Sequence, residues 1–215
     1  MADPIVPSPK RTNKYARKSR GPYKRNKLIY GVGVVDAPYV VRNRRERTTC
    51  PFYQVWRSML TRCYCPKFHK NHPTYAGCKV ADTWHSFMSF KLWMETKNWQ
   101  GMELDKDLLS DDRIYGPDNC VFVPGWLNVL FGSHRKATGL PVGVTITQCG
   151  RYRSRISVQG ERQELGVFAT PQQAYCSYAN AKITYVRSRY PEIQQIDPRL
   201  IDACERRLAQ LTSSQ

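Results

Sequence analysis

Apolar positions along this chain recur with two different periods, and the change of period divides it. Tyr53, Trp56, Met59, Leu60 and Cys63 fall three and four apart. That spacing lines one face of a helix and predicts one from Tyr53 onward. A second helix is predicted from Trp84 to Met94, burying Trp84, Phe87, Met88, Leu92 and Trp93. Pro66 and Pro73 punctuate the polar stretch between them, which reads as a loop. Upstream, LIYGVGVV (28–35) reads as a strand, DAP (36–38) as a turn and YVV (39–41) as a short extended run. Beyond residue 100 the segments shorten. MELDKDLL (102–109) and CVFVP (120–124) are strand candidates around a turn-rich loop, SDDRIYGPDN, and GWLNVLF (125–131) begins a helix. GSHRKATG (132–139) reads as a linker. VGVTIT, RYRSRISV and ELGVFA are three strands, followed by a helix with Thr170 as N-cap and Pro171 at its first position. PRLIDACERRLAQL supplies a last amphipathic helix. The expected class is α+β: a strand–loop–strand–helix core with flanking helices, then a small three-stranded antiparallel sheet packed on one helix. The predicted segments are 1–27, 28–131, 132–139, 140–190 and 191–215.

Charge changes the picture. The 215 residues carry 34 Lys and Arg against 17 Asp and Glu, a net +17. A compact chain with that much like charge repels itself, and a polyanionic partner relieves the repulsion. Residues 1–48 hold thirteen basic and three acidic side chains, a surplus of ten. Residues 1–27 lack apolar periodicity and read as a flexible basic arm. No apolar signal core opens the chain and no stretch reaches membrane-span length, so a reduced, cytoplasmic setting without a membrane partner is expected, with the eight cysteines as thiols.

Candidate chemistry concentrates in the strand–loop–strand–helix. Hydrolysing a phosphodiester takes a hard cation held by oxygen ligands and a base that aims water at phosphorus. Asp105 lies on the first strand, Asn128 on the helix 23 residues later, and Asn119 in the loop before the second strand. The stretch LDKDLLSDDRIYGPDNCVFVPGWLN resembles the ββα core of HNH endonucleases. The run from VWRSMLTRCY through WHSFMSFKLWM is similar to phage-encoded homing members of that family, which would place the protein in a host bacterial cytoplasm. The resemblance implies Asp105 and Asn128 as ligands of a divalent cation, most naturally Mg2+, and Asn119 as the residue fixing the loop, with duplex DNA as substrate. No small-molecule cofactor is implied. Lys106 stands where the family's catalytic His would be. An ordinary lysine is protonated at neutral pH and accepts no proton. Three outcomes stay open: Lys106 is a base tuned by its surroundings, or Asp107, His85 or His134 substitutes, or the fold has kept its shape and lost catalysis as a DNA-binding or regulatory protein. A basic nucleoprotein component bound to RNA is a further alternative.

Two other clusters stand out. Cys63, Cys65, His69, His72 and Cys78 crowd into sixteen positions, but their spacing is not that of a usual zinc finger. Buried thiols and loop histidines are the expectation there, with a structural Zn2+ as the alternative. In the second cluster, Arg151, Arg153 and Arg155 alternate with Tyr152, Ser154 and Ile156. A period of two puts three guanidiniums on one strand face and a largely apolar row on the other. Residues 141–183 resemble the Apetala-type, or ethylene-response-factor, DNA-binding domain through VGV, GRYRSRI, LGVF, T-P-x-x-A and Y-x-x-A-K. The resemblance implies an exposed arginine face docked in the major groove, while Arg135 and Lys136 in the linker are candidate DNA contacts beside it.

Overall fold

A computed structural model describes residues 28–132 and 139–213. The predicted arm (1–27) and nearly all of the predicted linker, with His134, Arg135 and Lys136, lie outside the described residues. The protein is α+β, as its patterning predicts. A hairpin of two short strands, β1 (Arg42–Asn43) and β2 (Thr48–Thr49), leads into α1 (Pro51–Tyr64). α2 (Pro66–Asn71), a 3-10 turn (Pro73–Tyr75), β3 (Lys79–Val80), a second 3-10 turn (Asp82–His85) and α3 (Phe87–Glu95) follow. Then come β4 (Met102–Asp105), β5 (Ile114–Tyr115), β6 (Val121–Pro124) and α4 (Gly125–Phe131). The rest is β7 (Val144–Ile146), β8 (Tyr152–Val158), β9 (Glu161–Phe168), α5 (Pro171–Ser188), α6 (Tyr190–Ile196) and α7 (Arg199–Ser213).

Several expectations are corrected. Residues 28–35 form a tight turn instead of a strand: Tyr30 and Gly31 take positive φ, and Ile29 pairs back on Gly33. The turn brings Gly33 against α1, where a Cβ would sit 2.5 Å from Leu60 and 2.9 Å from the Trp56 ring. The expected loop after α1 is largely helical, since Pro66 and Pro73 each occupy a helix start, where a missing N–H costs nothing. The expected Trp84–Met94 helix is split at Ser86, whose hydroxyl accepts from Ser89 N at 3.0 Å while Asp36 accepts from Met88 N and Ser86 Oγ. That phase shift buries Phe90 and leaves Leu92 60% exposed. The loop between β4 and β6 contains β5, which pairs in parallel with β3.

The β4–β6 ribbon lies between two cores. Cross-strand pairs share a side, so Leu104 and Phe122 face one way while Glu103, Asp105, Val121 and Val123 face the other. Leu104 and Phe122 join the aromatic core built on α1 and α3 around Trp56, Trp84, Phe87 and Phe90. Val121 and Val123 join a second core with Leu127 and Leu130 of α4, Val186 of α5, and Leu200, Cys204 and Leu208 of α7. The last helix is therefore built into the ribbon's core. In the three-stranded sheet, Ile156 and Val158 pack on Tyr178 of α5. Gly143, at φ +81°, lies so close to the Tyr178 ring that a Cβ would fall 2.2 Å from it.

Candidate functional site

Asp105 ends β4 on the side that faces α4. Its Oδ1 accepts from the backbone N–H of Asp107 at 2.9 Å and of Leu108 at 2.8 Å, which bends the chain out of the strand. Burial raises the Asp105 pKa above the usual carboxylate value, against the lowering effect of those N–H groups. Asn128 meets the same side of the ribbon one step earlier, where its Nδ2 donates to Glu103 Oε2 at 2.5 Å. Side chains on a strand return to the same side every second residue, so Glu103 and Asp105 are neighbours along that face. Glu103 was missed by the sequence reading, although the alternation Glu103–Leu104–Asp105 would have placed it there. Asn119 is half-buried in the turn before β6, and that turn is closed by the backbone, Cys120 N donating to Gly116 O at 3.0 Å.

Lys106 turns the other way. It is 5% exposed, its ammonium lies 5.7 Å from the ring centroid of Tyr115 in the aromatic core, and it donates to Asp107 Oδ1. Burial opposes its charge, but the Asp107 carboxylate outweighs burial and moves the pKa above the ordinary lysine value. Lys106 is thus held as an ammonium at neutral pH, which argues against its use as a water-activating base. Asp107, one of the substitutes considered, is its ion-pair partner. His85 sits in its 3-10 turn with Nδ1 3.7 Å from Asp82 Oδ1 and its ring against Tyr64.

The loop beyond Asp105 is held from outside the ribbon. Arg207 of α7 donates to the Asp107 carbonyl and pairs with Asp111 at 3.0 Å, Arg206 donates to Leu109 O at 3.0 Å, and Arg199 to Asp118 O at 3.3 Å. Lys182 of α5, almost fully buried, donates to Leu130 O at 2.7 Å at the end of α4. Burial without a counter-charge lowers its pKa to about 8. Trp126 of α4 meets Tyr185 edge-on and lies under the Arg189 guanidinium. A groove of about 350 Å3 runs between α1 and β4, lined by Gln54, Ser58, Arg62, Trp99 and Glu103 among others.

The cysteine–histidine cluster is dispersed. Cys63 and Cys78 are buried in the aromatic core, and burial pushes the Cys63 thiol up to about 12. Cys65 precedes α2, His69 Nε2 bonds Arg62 O at 2.8 Å, and the His72 ring stacks on Phe68. Among the described residues no three His, Cys, Asp or Glu side chains gather in a way that could hold a metal ion.

On β8 the alternation is as the sequence has it. Ser154, Ile156 and Val158 are buried toward α5, and Arg153, Arg155 and Ser157 face outward. Arg151 precedes the strand, exposed, and donates to Val167 O at 3.4 Å. Glu164, across from Arg155 on β9, takes Arg155 at 2.9 Å and lies 3.6 Å from Arg153 Nε. This acid within the arginine face went unremarked in the sequence reading. Among the described residues, no helix is long and apolar enough to cross a membrane. No protein-family model, curated protein or solved structure matches the chain.

Proposed function

We propose that this protein binds duplex DNA and cuts or nicks it at the β4–β6–α4 element in the manner of an HNH endonuclease, with a divalent cation, most naturally Mg2+, as cofactor. The observation that carries the reading is the ribbon's register, which turns Glu103 and Asp105 toward the helix bearing Asn128. These are carboxylate and amide oxygens, the donors a hard cation takes, and a buried carboxylate with a raised pKa gains from a cation beside it. Bound there, the cation would polarise a phosphate oxygen. Asp105 would hold it through the oxygen not engaged by the turn, and Asn128, positioned by Glu103, would face the same space. The net charge of +17 and the arginines of β8 supply the attraction for the duplex.

A second reading, a DNA-binding protein that does not cut, is favoured by Lys106, an ammonium in the place of the family's base and directed into the opposite core. Asp105→Asn separates the two, because it keeps an acceptor for the Asp107 and Leu108 N–H groups while removing the charge. Expected are loss of at least ~100-fold in Mg2+-dependent plasmid nicking and retention of duplex binding. If the unaltered chain binds duplex DNA tightly but leaves plasmid intact with Mg2+ or Mn2+ across varied targets, the second reading stands.

A further inference from the structure

The most exposed concentration of positive charge among the described residues lies outside both elements discussed so far. The hairpin at 42–49, RNRRERTT, carries Arg42, Arg44, Arg45 and Arg47, all exposed, with Glu46 as its one acid. Its form is fixed. Asn43 pairs with Thr48, Asn43 Oδ1 accepts from Arg45 N at 3.1 Å, and Arg47 takes a positive φ of 53°. Its base is anchored where Cys50 N donates to Val41 O at 2.8 Å, with Tyr39, Val41 and Cys50 packed on the aromatic core. From there the chain enters α1 at Pro51, at one end of the groove that reaches Glu103 of the candidate site.

Within the described residues none of these four arginines has an ion-pair partner, whereas Arg153 and Arg155 of β8 both face Glu164. Free guanidiniums on an exposed hairpin are suited to phosphate, whose oxygens a guanidinium can take two at a time. We infer that the 42–49 hairpin grips the phosphodiester backbone of duplex DNA independently of base sequence, and so carries a large part of the salt-dependent affinity. This rests on the reading of the chain as a duplex-DNA binder.

The test is the salt dependence of binding to two duplexes of unrelated sequence, comparing the full chain with a variant in which Arg42, Arg44, Arg45 and Arg47 are all changed to Gln. Each phosphate contact contributes about 0.9 to the slope of log affinity against log salt. The variant is expected to lose about 3 to 4 from that slope, and about ten-fold or more in affinity at moderate salt, equally on both duplexes. The substituted side chains are exposed, so an unchanged melting temperature checks the fold. A slope that falls by less than about one contact's worth, in a variant that folds, overturns the inference and leaves DNA binding standing. A loss confined to one duplex overturns it in favour of base reading. Absence of duplex binding by the unaltered chain removes the DNA reading and this inference together.

Discussion

The β4–β6 ribbon and the β7–β9 sheet are both small antiparallel structures backed by a helix, yet they treat polar side chains in opposite ways. The ribbon is covered on both sides, by the aromatic core on one and by α4 and α7 on the other. Its polar groups are engaged internally, even where Glu103 reaches the surface: Asp105 by two backbone N–H groups, Asn128 by Glu103, Lys106 by Asp107, and the loop carbonyls by arginines of α7. The sheet is covered by α5 on one side, and its other side carries Arg153 and Arg155, half-buried beside Glu164, with Ser157 exposed. A buried polar group without a partner bears the full cost of its desolvation, while an ion pair nearer to solvent can be exchanged for another partner at little cost. The ribbon therefore holds a few groups in fixed relation between two cores, while the sheet carries its ion pairs on its outer side.

If the ribbon's rigidity is borrowed from α7, removing packing there should be felt at once. Leu200 is fully buried in the core shared by α4, α5 and α7. Leu200→Ala should lower the unfolding free energy by about 3 kcal/mol in urea titrations. A loss below about 1 kcal/mol would show α7 to be an appendage and dissolve the contrast between covered ribbon and open sheet.

A somewhat smaller effect is expected where the two regions join. Lys182 is buried at the end of α4, and its folded pKa of about 8 lies below the ordinary lysine value near 10.4. Between those values the folded state holds fewer protons than the unfolded state, so this group's contribution to stability grows as pH rises through the window. Cys63, Cys120 and Cys204, each pushed up to about 12 by burial, act in the opposite direction above the ordinary thiol value. The quantity to read is therefore the difference between the chain and Lys182→Met. Relative to the variant, the unaltered chain should gain about 2 kcal/mol from pH 8 to pH 10. Parallel pH profiles would mean that Lys182 is solvated and that the junction is open.

The sheet was more legible in the sequence than the ribbon, for the same physical reason. Period-two alternation through Arg153, Ser154, Arg155 and Ile156 encodes which face is covered, and the N-cap at Thr170 fixes where α5 begins. The ribbon's surroundings come from distant segments. Arg206 and Arg207 reach back about a hundred residues to Leu109 and Asp107, and Lys182 reaches 52 back to Leu130. Nothing local in PRLIDACERRLAQL distinguishes arginines that clamp a loop from arginines that face water. The misread segment at 28–35 has a related cause: its run of apolar residues has strand character, but Gly33 is there to admit the Trp56 ring, and that neighbour is 23 residues away. Glu103, the partner of Asn128, lies on a strand face that the alternation Glu103–Leu104–Asp105 encodes, but the helix residue that meets it comes 25 positions later.

The smallest effect concerns the open face itself. Glu164 stands among Arg153, Arg155 and Arg162 and holds Arg155 at 2.9 Å. Exposed ion pairs contribute little to folding, so Glu164→Gln should leave the melting temperature nearly unchanged. For a phosphate approaching that face the same carboxylate is a like charge, and it must also give up its arginines before they can turn to a ligand. The substitution should therefore raise duplex affinity by about three- to five-fold and steepen the salt slope by up to about one contact's worth, as at least one guanidinium becomes free. Unchanged affinity would mean that the sheet does not touch the duplex, leaving attraction to the hairpin and the rest of the basic surface. Weakened affinity would mean that Glu164 orients Arg155 for the bound state. In that case the pair is part of the reading head, and the open face is organised by its internal contacts as the covered ribbon is.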